Sequence, residues 1–121
     1  MSFRADEDRL NPTPPPDADE YTLGGYQAVY GRAPAFTGAD GQPYTVAVET
    51  GEHPDGGRAV GWLVFLRWAA TGGAIMDHAE SGDLVAADSE LEARSRLEKM
   101  SLHTARRLLD RTVRRRQEGA G

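Results

Sequence analysis

"GWLVFLRW", residues 61–68, is the most apolar stretch of this chain. Read as a strand, it sends Trp62, Val64, Leu66 and Trp68 to one side and Leu63 and Phe65 to the other. A strand with one wet face alternates apolar and polar residues; this one is apolar on both sides. The expectation is a central strand with both sheet faces covered.

The flanks support a central place. "YTVAVET", 44–50, alternates Tyr44, Val46 and Val48 against Thr45, Ala47 and Glu49, the period of a half-buried strand. It joins the central strand through "GEHPDGG", 51–57, a polar loop. On the other side, Gly72-Gly73 is a two-residue hairpin signal, and "AIMDHAE", 74–80, is the returning strand. "SGD", 81–83, breaks it, and "LVAA", 84–87, either continues it past a bulge or leads into a helix.

From Asp88 the period changes. Ala93, Leu97 and Met100 fall at i, i+4, i+7, and Ser89 with Glu92 has the spacing of a capping box, so Ser89 is the expected N-cap. Glu90–Arg94 and Glu92–Arg96 are i,i+4 pairs in the favourable order. Ser101 offers a second cap. Leu102, Ala105, Leu108, Leu109, Thr112 and Val113 then hold one helical face to about residue 116. Strands first and helices last predict an α+β fold. The expected architecture is an antiparallel sheet of three to four strands, with two C-terminal helices, or one kinked at Ser101, packed on one face.

The N-terminal third is harder to place. Residues 1–20 carry Asp6, Glu7 and Asp8 and then "NPTPPPDADE", which reads as a disordered, acidic, proline-rich leader. The folded domain is expected over 21–117. "GYQAVY", 25–30, alternates and reads as a short strand, and "GRAPAFTGADGQP", 31–43, is dense in turn residues. Helices of the expected length cover one sheet face. The second needs the segment 21–36 or a second copy of the chain, and both are expected, because an uncovered apolar face associates.

Composition narrows the function classes. At 121 residues the chain fits one domain. It has no cysteine, which removes disulfides and thiolate sites. No apolar run approaches the ~20 residues that cross a bilayer, and no secretory h-region opens the sequence, so no membrane association and a cytoplasmic location are expected. The net charge of −5 is unevenly spread. Residues 1–93 hold 16 of the 19 acids and 5 of the 14 Arg and Lys; residues 94–121 hold the other 9 basic residues and 3 acids.

Chemistry-bearing motifs are sparse. His78 and Glu80 share a strand face and Asp77 points away, but His53 and His103 are the only other imidazoles, so a metal or a general base at His78 lacks convergent partners. No nucleophile elbow and no phosphate-binding glycine loop is present. No cofactor is expected. In "ARRLLDRTVRRR", Arg107, Arg111, Arg114 and Arg115 fall opposite Leu109 and Val113 as a candidate anion-binding stripe. That stripe is either a nucleic-acid footprint or a solvated face that pairs with the acidic body or a neighbouring subunit.

The run 44–100, strands followed by "GDLVAADSELEARSRLEKM", resembles the small antitoxin-type domain of HicB proteins, with Gly82, Ser89, Glu92 and Ala93 in comparable places. The resemblance implies a strand-to-helix domain that binds a partner protein. The DNA-binding module appended in that family has no counterpart here. The resulting expectation is a non-catalytic protein-interaction domain that self-associates through its sheet, with Leu63 and Phe65 at the candidate interaction surface. The alternatives are nucleic-acid binding through the arginine helix, and a small enzyme or metal protein centred on His78.

Overall fold

The computed structural model describes residues 19–120; the leader expected over 1–20 falls outside it except for Asp19 and Glu20. Seven elements follow in order: α1 Leu23–Tyr30, β1 Ala35–Thr37, β2 Pro43–Glu52, β3 Ala59–Trp68, β4 Ile75–Ala87, α2 Glu90–Glu98 and α3 Leu102–Ala120. The strands form one antiparallel sheet in the order β1-β2-β3-β4, so the fold is α+β.

β3 is an inner strand, paired with β2 from Ala59 to Arg67 and with β4 along its whole length. Leu63 and Phe65 are wholly buried. They join Leu23, Tyr44, Val46, Ala105, Leu109 and Val113 in one cluster between sheet and helices. Burying a side chain of this size contributes roughly 1.5–3 kcal/mol. α2 comes closest to the sheet over Gly61: a Cβ built there would stand 2.7 Å from Leu97 Cδ1 and 3.1 Å from Val85 Cγ2.

Both helix starts are as expected. Ser89 Oγ accepts the Glu92 N–H at 3.1 Å, and Ser101 Oγ accepts the Thr104 N–H at 3.0 Å, so there are two helices and the break lies at Ser101. Of the two expected i,i+4 pairs, Glu92–Arg96 forms at 2.7 Å. Glu90 instead accepts the Thr50 hydroxyl, and Arg94 donates to the Val48 carbonyl.

Two local expectations are corrected, and one left open is decided. Residues 25–30 lie in helix α1, not in a strand. Thr22 caps it by accepting the Gly25 N–H, and Gly31 stops it in the left-handed conformation at φ 68°. The alternation of Tyr26, Ala28 and Tyr30 also fits a helix, where Tyr26 and Tyr30 become i,i+4 neighbours with ring centroids 4.5 Å apart. The hairpin at Gly72-Gly73 is a longer loop, closed where the Ala69 N–H donates to the Ala74 carbonyl. Of the two readings of "LVAA", continuation of the strand past a bulge at "SGD" is the one that holds. Gly82 takes φ 82°, Ser81 Oγ accepts the Leu63 N–H at 3.0 Å, and β4 runs on past this bulge to Ala87.

Candidate interaction face and arginine stripe

The second face of the sheet is where the structure departs most from expectation. α1 packs on the same side as α2 and α3, because Leu23 joins the core cluster. The segment 21–36 therefore does not shield the other side. Among the described residues no element lies over Trp62, Val64, Leu66 and Trp68, which remain half-buried. Leu63 and Phe65, expected at an interaction surface, are 0% exposed beneath the helices. The surface belongs to the opposite set of side chains on the same strand.

Cross-strand pairing defines this open face. Val64 stands between Ala47 on β2 and Glu80 on β4, Leu66 between Thr45 and His78, and Trp62 between Glu49 and Asp83. Trp68 pairs with Ile75, which is 52% exposed, and the adjacent Met76 is 57% exposed. An apolar stripe thus runs along β3 and widens at the β3–β4 end, while Glu49, Glu80 and Asp83 fringe it with negative charge. Both indoles reach toward β2. Trp68 Nε1 donates to Thr45 Oγ1 at 2.9 Å, and the six-membered ring of Trp62 lies against Gly51, where a Cβ would stand 3.3 Å from Cη2. Trp62 Nε1 is buried with no hydrogen-bond partner among the described residues.

The sheet's edges are treated differently from its face. β1 pairs with β2 only at residues 43–45, which leaves much of β2 as an edge, and β4 is the edge on the other side. Arginines from the helices cap carbonyls on both. Arg94 reaches Val48 O at 3.1 Å, Arg96 reaches Ala86 O at 3.2 Å, and Arg116 reaches His78 O at 2.9 Å. Arg116 also pairs with Asp77 at 2.9 Å. Charged side chains on an edge discourage strand addition. Sequence reasoning placed Arg94 and Arg96 in helix-surface pairs and did not anticipate these three contacts, because a backbone carbonyl leaves no sequence signal.

Asp77 points to the helix side, away from His78, as the alternation implied. The His78 backbone N–H, and then Arg116, hold its carboxyl below the usual carboxylate range. At the same end of the sheet, Tyr44 donates to Asp40 Oδ2 at 2.7 Å; burial first and that hydrogen bond second push its phenol up to about 12. Among the described residues no group of three His, Cys, Asp or Glu side chains is placed to hold a metal ion, and His78 is an exposed strand residue. No helix there is long and apolar enough to cross a membrane.

The arginine stripe is present. Arg107, Arg111, Arg114 and Arg115 are all exposed on the side of α3 opposite Ala105, Leu109 and Val113. Among the described residues none of the four makes an ion pair.

No family model, no curated protein and no solved structure matches this chain.

Proposed function

We propose that this chain is a non-catalytic protein-interaction domain that pairs with a second copy of itself through the open face of its sheet. The observation that carries this reading is the exposed side of β3: four large apolar residues, two of them tryptophans, along an inner strand with no cover among the described residues. Monomers that present a contiguous apolar patch of this kind use it for association.

Area argues for a second copy. At ~3.3 Å per residue and ~4.8 Å between strands, the face measures roughly 500–600 Å², so two copies would bury roughly 1,000–1,200 Å², at the lower end of stable interfaces. Two such faces stack as an aligned sandwich about 10 Å apart. Capped edges leave face-to-face packing as the open route. The HicB-type resemblance of residues 44–100 also points to a protein partner rather than a small-molecule substrate.

Sedimentation equilibrium tests the proposal. The chain is expected to dimerise with rising concentration. Leu66→Glu, on the open face, is expected to abolish the dimer while leaving the far-UV circular dichroism and urea midpoint near those of the parent. Phe65→Glu, on the buried face, is expected to unfold the monomer. A parent chain that stays monomeric at millimolar concentration overturns the reading, and so does a dimer indifferent to Leu66→Glu.

A further inference from the structure

We infer that the arginine stripe of α3 is a docking surface for the chain's own acidic N-terminal segment, centred on Asp6, Glu7 and Asp8. The stripe conflicts with helix stability. Arg107–Arg111 and Arg111–Arg115 are like-charge i,i+4 pairs, each of which costs about 0.2–0.5 kcal/mol in an isolated helix. α2 resolves the same spacing with opposite charges, Glu92 to Arg96. Asp110–Arg114 and Arg114–Glu118 have opposite charges at this spacing, but Arg107, Arg111 and Arg115 form an unbroken like-charge row suited to an external anion.

Charge and connectivity select the occupant. Residues 1–18 hold four acids against two arginines, opposite in sign to the stripe, while Asp19 and Glu20 accept the Tyr21 N–H and the Tyr30 hydroxyl. The chain also enters the fold at the correct end of α3. Leu102 N–H donates to Tyr21 O at 2.7 Å, Leu23 N–H donates to Met100 O at 2.9 Å, and Thr22 bridges to Ser101. Tyr21 and Thr22 are thus held beside the first turn of α3. From Ser101 to Arg115 the helix rises about 21 Å. The eleven residues from Asp8 to Asp19 span up to about 36 Å, enough to bring the acidic triplet alongside all four arginines. A short tether gives an effective concentration near millimolar, which a separate polyanion must exceed while also approaching a chain of net charge −5. The segment would therefore occupy the stripe first and compete with any nucleic acid for it.

Because the chain has no cysteine, Ser2→Cys gives a single site for a nitroxide spin label on the full-length protein. At low salt the label is expected to attenuate the amide signals of Arg107–Arg115 more than those of β2. The attenuation is expected to vanish at about 0.5 M salt, where the Debye length falls below 5 Å, and in the triple variant Asp6→Asn, Glu7→Gln, Asp8→Asn. That triple variant should also bind a short duplex DNA more tightly than the parent, since the competitor has been weakened. Attenuation no greater on α3 than on β2 overturns the inference. So does attenuation that survives neutralisation, or equal affinity of parent and variant for the duplex. Fold integrity is read from the unchanged signals of Leu63 and Phe65.

Discussion

Tyr44 shows how one buried residue couples the fold to pH. Its side chain lies in the core at 6% exposure, and its hydroxyl reaches out to Asp40. With the folded phenol raised from 10.0 to about 12, the protein holds this proton more tightly than the unfolded chain does. Its contribution is fully present below pH 10 and is lost as pH rises from there through about 12. Urea unfolding at pH 9 and pH 12 is therefore expected to show the parent losing on the order of 2 kcal/mol more than the Tyr44→Phe variant. At neutral pH the same variant is expected to cost about 1 kcal/mol, the worth of one hydrogen bond. The sequence marked Tyr44 as an inward strand residue. It did not mark Asp40 as its partner, because that contact depends on the turn that Gly41 makes at φ 80°.

At the scale of the element, legibility followed the strength of the local signal. β2, β3, α2 and α3 were legible because their apolar periods are long and their caps, Ser89 and Ser101, stand at the right spacing. α1 was not, because six residues of alternation satisfy a strand and a short helix alike. Its deciding marks were the Thr22 cap and the Gly31 stop, and both lie outside the alternating stretch. The edge of β4 belongs to this scale too. Arg116 there joins α3 to the strand through the His78 carbonyl and the Asp77 carboxylate. Arg116→Gln is expected to lower the urea midpoint, since one half-exposed ion pair and one hydrogen bond are lost. An NMR titration of the same variant should find the Asp77 carboxyl moved part of the way up toward 3.8, the His78 N–H still holding it down. The sign follows from the depressed folded value: this contribution is present above pH 3.8 and disappears as the pH drops through the folded value beneath it.

Across the whole molecule, the two faces of the sheet differ in cover among the described residues. One face carries the core under three helices. The other presents tryptophans fringed by Glu49, Glu80 and Asp83, so two copies in contact bring like charges together. Dimerisation through this face is expected to strengthen as salt rises from about 0.05 to 0.5 M, because screening relieves that repulsion faster than it affects apolar contact. A dimer measured by sedimentation that weakens over the same range would instead indicate a basic surface, such as the α3 stripe, at the interface. By itself the sequence determined the α+β class, the inner place of residues 61–68, the Ser89 and Ser101 caps and the arginine stripe, because each of these is written in the period or spacing of neighbouring residues. Only the tertiary structure decided which side of β3 is buried. Both sides of that strand are apolar, and local pattern cannot rank them. The choice was made when Leu23 on α1 and Leu109 on α3 converged on Leu63 and Phe65, leaving Trp62, Val64, Leu66 and Trp68 with no helix over them among the described residues.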